Sequence, residues 1–117
     1  MGTLSTHVLD TAQGKAAAGV NIDLYFLGGQ SRQHLASFTT NADGRTDAPI
    51  LDTEDMVTGV FELVFHMGAY FDKQGLELPE PKFLETIPVR FGIADASANY
   101  HVPLLVSPFG YSTCRGS

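Results

Sequence analysis

Two histidines and two arginines carry the groups with which this chain could do chemistry. His7 and His101 each lie inside a stretch that reads as a β-strand, and strands are rigid supports for a reacting group. Imidazole titrates nearest neutral pH of the ordinary side chains, so a pair could divide base and acid duties. Taken singly, each is equally readable as a surface or edge histidine. Arg45 follows directly on an Asp-Gly turn. Its plain reading is a solvated loop charge, and its functional reading is a planar fork that stabilises an anion. Arg115 stands two residues from Ser117, where a tail charge is usual, but Phe109 and Tyr111 just before it predict a tail that is pinned down. Cys114 serves as a thiol nucleophile only where a histidine lies within hydrogen-bond reach.

Several familiar arrangements are missing. There is no Gly-x-Ser-x-Gly elbow, no His-Glu-x-x-His helix, no Cys-x-x-Cys and no phosphate loop. His34 and His66 have no ligand spacing with the other histidines, and a His7/His101 pair offers too few ligands for a zinc site. No metal and no cofactor is expected.

The elements that must position these residues are strands. In Leu4–Asp10, alternation puts Ser5, His7 and Leu9 on one face and Leu4, Thr6 and Val8 on the other. Residues 20–26 alternate apolar with polar as a half-buried strand does, and Gly28-Gly29 ends them. Residues 35–40 predict a third strand. Asn41-Ala42-Asp43-Gly44 follows, and Asp-Gly is a hairpin signal because glycine accepts positive φ. Residues 48–51 predict a short edge strand, where Pro49 is tolerated. Gly59–His66 is apolar on both faces, as a mid-sheet strand is. Residues 69–74 predict a short helix with Gly75 as its stop. Residues 87–93 resume strand. Two last strands joined at Ser107-Pro108 follow, with Tyr100, Val102 and Leu104 on one face and His101, Pro103 and Leu105 on the other. About eight strands and one helix, spaced roughly 8–12 residues apart, predict an all-β antiparallel sandwich.

Bulk numbers set outer limits. The 117 residues suit one domain spanning 1–117. The net charge of −6 argues against a nucleic-acid footprint, and no Lys/Arg cluster addresses a membrane surface. No apolar run approaches the roughly 18 residues of a membrane helix. Charged residues make up only 17%, which predicts surface covered by a partner subunit. Met1 to Asp10 lacks the basic and apolar regions of a secretory signal, and one cysteine cannot form an internal disulfide. A cytoplasmic location is expected.

Four segments together resemble the 5-hydroxyisourate hydrolases, the transthyretin-related family of urate breakdown. They are Leu4-Ser5-Thr6-His7-Val8-Leu9-Asp10, Gly44-Arg45-Thr46-Asp47, Tyr100-His101-Val102-Pro103-Leu104-Leu105, and Ser107-Pro108-Phe109-Gly110-Tyr111-Ser112-Thr113 running into Arg115-Gly116-Ser117. The last is the most specific, because the hormone-carrying transthyretins lack the Arg-Gly-Ser ending and the paired histidines.

The resemblance implies a transthyretin-like sandwich of two sheets, assembled as a homotetramer with active sites in the channel at the dimer–dimer interface. It implies hydrolysis of 5-hydroxyisourate, with His7, Arg45, His101 and Ser117 catalytic and with Arg45, Cys114, Arg115 and Gly116 against the substrate. One position departs from the family pattern: Cys114 stands where tyrosine is usual. A thiol is shorter and lacks the aromatic face and phenolic hydroxyl, so reduced or altered activity is one alternative. A transthyretin-like carrier that holds a small ligand without chemistry is another.

Overall fold

The computed structural model describes residues 1–116. Eight strands, one short helix and one 3-10 turn follow in chain order: β1 (Leu4–Asp10), β2 (Lys15–Ala16), β3 (Asn21–Gly28), β4 (Ser31–Thr39), the turn Thr53–Asp55, β5 (Gly59–His66), α1 (Met67–Lys73), β6 (Thr86–Ile93), β7 (Tyr100–Ser107) and β8 (Gly110–Thr113). They form two four-stranded sheets, ordered β2-β1-β7-β8 and β4-β3-β5-β6. This is the expected two-sheet sandwich.

The strand faces explain why the sheets stack. Along β1, Leu4, Thr6, Val8 and Asp10 are buried while Ser5, His7 and Leu9 are half-buried. Leu104 and Val106 of β7 join Leu4 and Val8 in the core, facing Ile22 and Leu24 of β3 and Phe61, Leu63 and Phe65 of β5. Thr6 is polar on this buried face, and its hydroxyl is satisfied by donating to the Val102 carbonyl at 2.7 Å. β5 is buried on both faces, as its continuous apolar run requires, with Glu62 held on the outer side by Arg32 and Arg90.

Several details differ from the sequence-based expectation, among them β4, which begins at Ser31 rather than at residue 35. The pairing of β1 with β7 is parallel, whereas every other strand pair is antiparallel. Strands so far apart in sequence are under no hairpin constraint, so their relative direction is set by the path of the intervening chain. Residues 48–51 make only an isolated antiparallel bridge, Leu4 to Leu51. Pro49 supplies no N–H for a longer ladder. The Asp-Gly turn forms, but it closes a loop rather than a hairpin: Asn41 N–H donates to the Arg45 carbonyl at 2.7 Å. The two-residue β2 carries too little alternation to be read from sequence.

The helix starts two residues before the expected one, ends at Lys73 with Gln74 as its cap, and is followed by Gly75, which takes φ 77°. Tyr70 donates its hydroxyl to buried Asp10 at 2.7 Å, which ties α1 to the end of β1. Burial, followed by this bond to Asp10, raises the Tyr70 pKa above the ordinary phenol value.

Candidate active site

The parallel register of β1 and β7 places Ser5 beside His101 and His7 beside Pro103. All four point away from the core. The two imidazoles therefore sit diagonally on neighbouring strands of one sheet face, with Cα atoms about 8 Å apart from standard strand rise and spacing. Strands separated by ninety residues of chain are thus made into a single rigid platform.

Arg45 reaches the same face from a loop. The Asn41 side-chain oxygen accepts from the backbone N–H of Asp43 and of Arg45, at 2.9 and 3.2 Å, and so winds the turn tightly. Val8 N–H donates to the Gly44 carbonyl at 2.8 Å, which pins the turn to β1. Gly44 has φ 75°, and a Cβ there would run into the Val8 carbonyl oxygen. Only glycine fits both demands. The next residue is then delivered beside Ser5 and His101: Arg45, Thr3, Ser5, Asn99 and His101 line a cup of about 300 Å³. A second hollow, about 230 Å³, continues past Arg45 along Thr46, Asp47 and Ala48.

Each imidazole is held by one nitrogen. Nε2 of His7 lies 2.9 Å from the Asp43 carbonyl oxygen. A carbonyl oxygen only accepts, so the His7 proton in this bond is on Nε2 and Nδ1 keeps its lone pair. Nδ1 of His101 lies 2.8 Å from Ser5 Oγ. The His101 pKa is lowered, first by burial and then by the positive charge of Arg45 and by His7. His101 is therefore a neutral imidazole at pH 7. Among the described residues, the Arg45 guanidinium makes no ion pair.

The C-terminal segment returns to this face at one residue. β8 pairs with β7 out to Thr113 opposite Leu104, and Gly116 N–H then donates to the His101 carbonyl at 2.7 Å. Cys114 and Arg115 take a different direction. They line a separate groove of about 150 Å³ with Arg90, Phe91 and Tyr100. The Arg115 guanidinium donates to the Asn99 carbonyl at 3.0 Å and lies 4.0 Å over the Tyr100 ring, a cation–π contact that anchors the tail. No histidine shares the groove with Cys114. Of the expected site residues, His7, Arg45, His101 and Gly116 meet on one face, Cys114 and Arg115 lie around the sheet edge, and Ser117 falls outside the described residues.

Among the described residues, no three His, Cys, Asp or Glu side chains are grouped to hold a metal ion. His34 and His66 are engaged elsewhere, both with Asp23, at 3.1 and 2.7 Å. Ser5 and the Asp43 carbonyl are contributors that residue types alone did not single out. Alternation had already put Ser5 on the face of His7. Its partner became visible only with the β1–β7 register, and a backbone carbonyl leaves no mark in a sequence.

Comparison with known proteins gives a consistent result. A sequence model of the HIUase/Transthyretin family matches residues 4–116. The chain is 57% identical to 5-hydroxyisourate hydrolase 2 of Rhizobium meliloti over 116 residues, covering 99% of this chain and 97% of that one. It superposes on a solved 5-hydroxyisourate hydrolase of Klebsiella pneumoniae with a TM-score of 0.79 at 36% identity, covering 98% and 99% of the two chains. It superposes on a solved (S)-allantoin synthase with a TM-score of 0.93 at 41% identity, covering 99% of this chain and 44% of that longer one.

Proposed function

The chain belongs to the HIUase/Transthyretin family, and on that premise we propose that it hydrolyses 5-hydroxyisourate at the face where His7, Arg45 and His101 meet. The observation that carries this reading is the convergence itself. His101 and Arg45 line one cup, His7 stands on the same sheet face close enough for its charge to act on His101, and relatives of this length and similarity bear the hydrolase name.

The chemistry follows from the atoms available. His7, with its proton held on Nε2 by Asp43, has Nδ1 free to take a proton from water. The water oxygen bonds to a ring carbonyl carbon of the substrate, and the carbonyl oxygen becomes negative. Arg45 faces that charge; one well-placed donor of this type contributes roughly 2.7–4 kcal/mol in the transition state. The C–N bond then breaks, the ring nitrogen takes the proton that His7 removed from water, and 2-oxo-4-hydroxy-4-carboxy-5-ureidoimidazoline leaves. No covalent intermediate is needed. Gly116 and Ser117 close the site in this proposal, with the Ser117 hydroxyl positioning water or substrate and Arg115 anchoring the tail from its own groove.

The same proposal includes a homotetramer whose dimer–dimer interface builds the full channel. Leu105 and Phe109 support it: Leu105 shares the outward side of β7 with His101 and is 38% exposed, and Phe109 in the turn after β7 is 63% exposed beside Phe83, itself 72% exposed. Exposed large apolar side chains favour cover by another surface.

The test is a spectrophotometric assay on freshly generated 5-hydroxyisourate. Decay well above the spontaneous rate is expected from the native chain, and loss of most turnover from His7→Ala, Arg45→Ala and His101→Ala with melting temperatures preserved. Native-like rates in all three variants would refute the site. Binding of an aromatic ligand without turnover would establish the carrier alternative instead.

A further inference from the structure

His101 is gripped on both edges of its ring. Ser5 Oγ stands 2.8 Å from Nδ1, on the register partner of His101 across β1 and β7. Along the opposite, Cδ2 edge runs the backbone of Gly116, bonded to the His101 carbonyl. A Cβ at residue 116 would come within 2.9 Å of Cδ2, so glycine is what lets the chain pass the imidazole this closely. The ring cannot tip toward the tail, and its Nδ1 side is taken by Ser5. His101 lines the cup with Thr3, Arg45 and Asn99, and Nε2, without a partner among the described residues, is the nitrogen left to serve it.

Resting on the hydrolase reading, we propose that Ser5 is a positioning residue whose hydroxyl donates to Nδ1 of His101, so that His101 presents an Nε2–H donor to the substrate. Hydrogen-bond accounting sets the direction. Among the described residues, Nδ1 is the one acceptor within reach of the Ser5 hydroxyl proton. Were the Nδ1 side to donate instead, that proton would be left without a protein partner. The consequence is a division of labour on one face. His7 is locked with its lone pair free on Nδ1, and His101 is locked with its proton free on Nε2. The first suits removal of a proton from water, and the second suits an oxygen that gains negative charge, beside Arg45. Burial supports this assignment, because it keeps His101 neutral at pH 7.

The experiment reads the tautomer directly. Histidine-labelled protein is examined by 15N NMR above pH 7.5, in the native chain, Ser5→Ala and Ser5→Thr. In the native chain, His101 is expected to show an unprotonated Nδ1 and a protonated Nε2. Ser5→Ala is expected to let the Nδ1–H form appear and to lower kcat about 10-fold, the worth of one hydrogen bond, with KM little changed. Ser5→Thr restores the hydroxyl and is expected to restore both readouts. An Nδ1–H form dominant in the native chain overturns the proposal, as does a tautomer unmoved in Ser5→Ala or unrestored in Ser5→Thr. The NMR readout needs no substrate. A native chain without turnover but with the expected tautomer therefore sinks the hydrolase reading alone.

Discussion

At the scale of single residues, Arg45 acts on its neighbour as well as on substrate. After burial, its charge is the next cause that keeps His101 from taking up a proton. Replacing Arg45 by Gln removes a like charge from the imidazolium, so the His101 pKa should rise toward its ordinary value. NMR titration of His101 in Arg45→Gln checks this, and an unchanged midpoint would mean that burial and His7 set it without Arg45. The sign for stability follows too. A histidine with a lowered folded pKa is fully compatible with the fold at high pH and costs stability as pH falls through its ordinary value. Cys114 belongs to the same scale. Its side chain lies in the groove with Arg90, Phe91 and Tyr100 rather than in the cup. Cys114→Tyr should therefore alter turnover only if that groove meets a substrate channel in the assembled protein, and kinetics of the two forms decides it.

Among the elements, β3 is tied to both its neighbours by Asp23. Ser37 of β4 is the largest cause that lowers the Asp23 pKa to about 2, and His66 at the end of β5 and His34 of β4 add to it against the opposing effect of burial. A depressed carboxylate stabilises the fold above its ordinary value of 3.8 and loses that contribution as pH falls toward 2. Screening by solvent around these partly exposed partners leaves about 1 kcal/mol of that shift as stability. Asp23→Asn should lose a similar amount at pH 6 and flatten the acid limb of stability, as read by denaturant midpoints at pH 6 and pH 3. A second tie joins α1 to β1. Tyr70→Phe removes one of the donors to buried Asp10, which keeps those from Gln13. A cost of about 1–3 kcal/mol is expected. The sequence told less about these ties than about the strands. Leu4–Asp10 and Gly59–His66 were legible in full because alternation, or an unbroken apolar run, is a local pattern. Which polar side chain answers which is settled by register across strands.

For the whole molecule, the sandwich core is the foundation on which the site stands. Leu104 is fully buried between the sheets, three residues along β7 from His101. Leu104→Ala should cost about 2–5 kcal/mol in stability. Activity per folded molecule should be retained at low temperature, since the outward face of β7 is unchanged. If assembly completes the channel, Phe109→Glu should yield a smaller species by sedimentation and lose turnover together with it. A full-sized assembly with native activity would place Phe109 outside the interface.

Local chemistry of the chain determined the strand faces, the tight turn before Arg45 and the short helix, because each depends on residues within a few positions of one another. It also separated His7 from the face of Leu4, Thr6 and Val8, and His101 from the face of Tyr100, Val102 and Leu104. Only the tertiary structure decided that β1 and β7 lie side by side and parallel, that Ser5 meets His101, and that Gly116 closes over its ring while Arg115 stacks on Tyr100. The physical reason is that these contacts span long stretches of chain. Their geometry is set by how two sheets pack and by the path between distant strands, and neither is a property of any short segment.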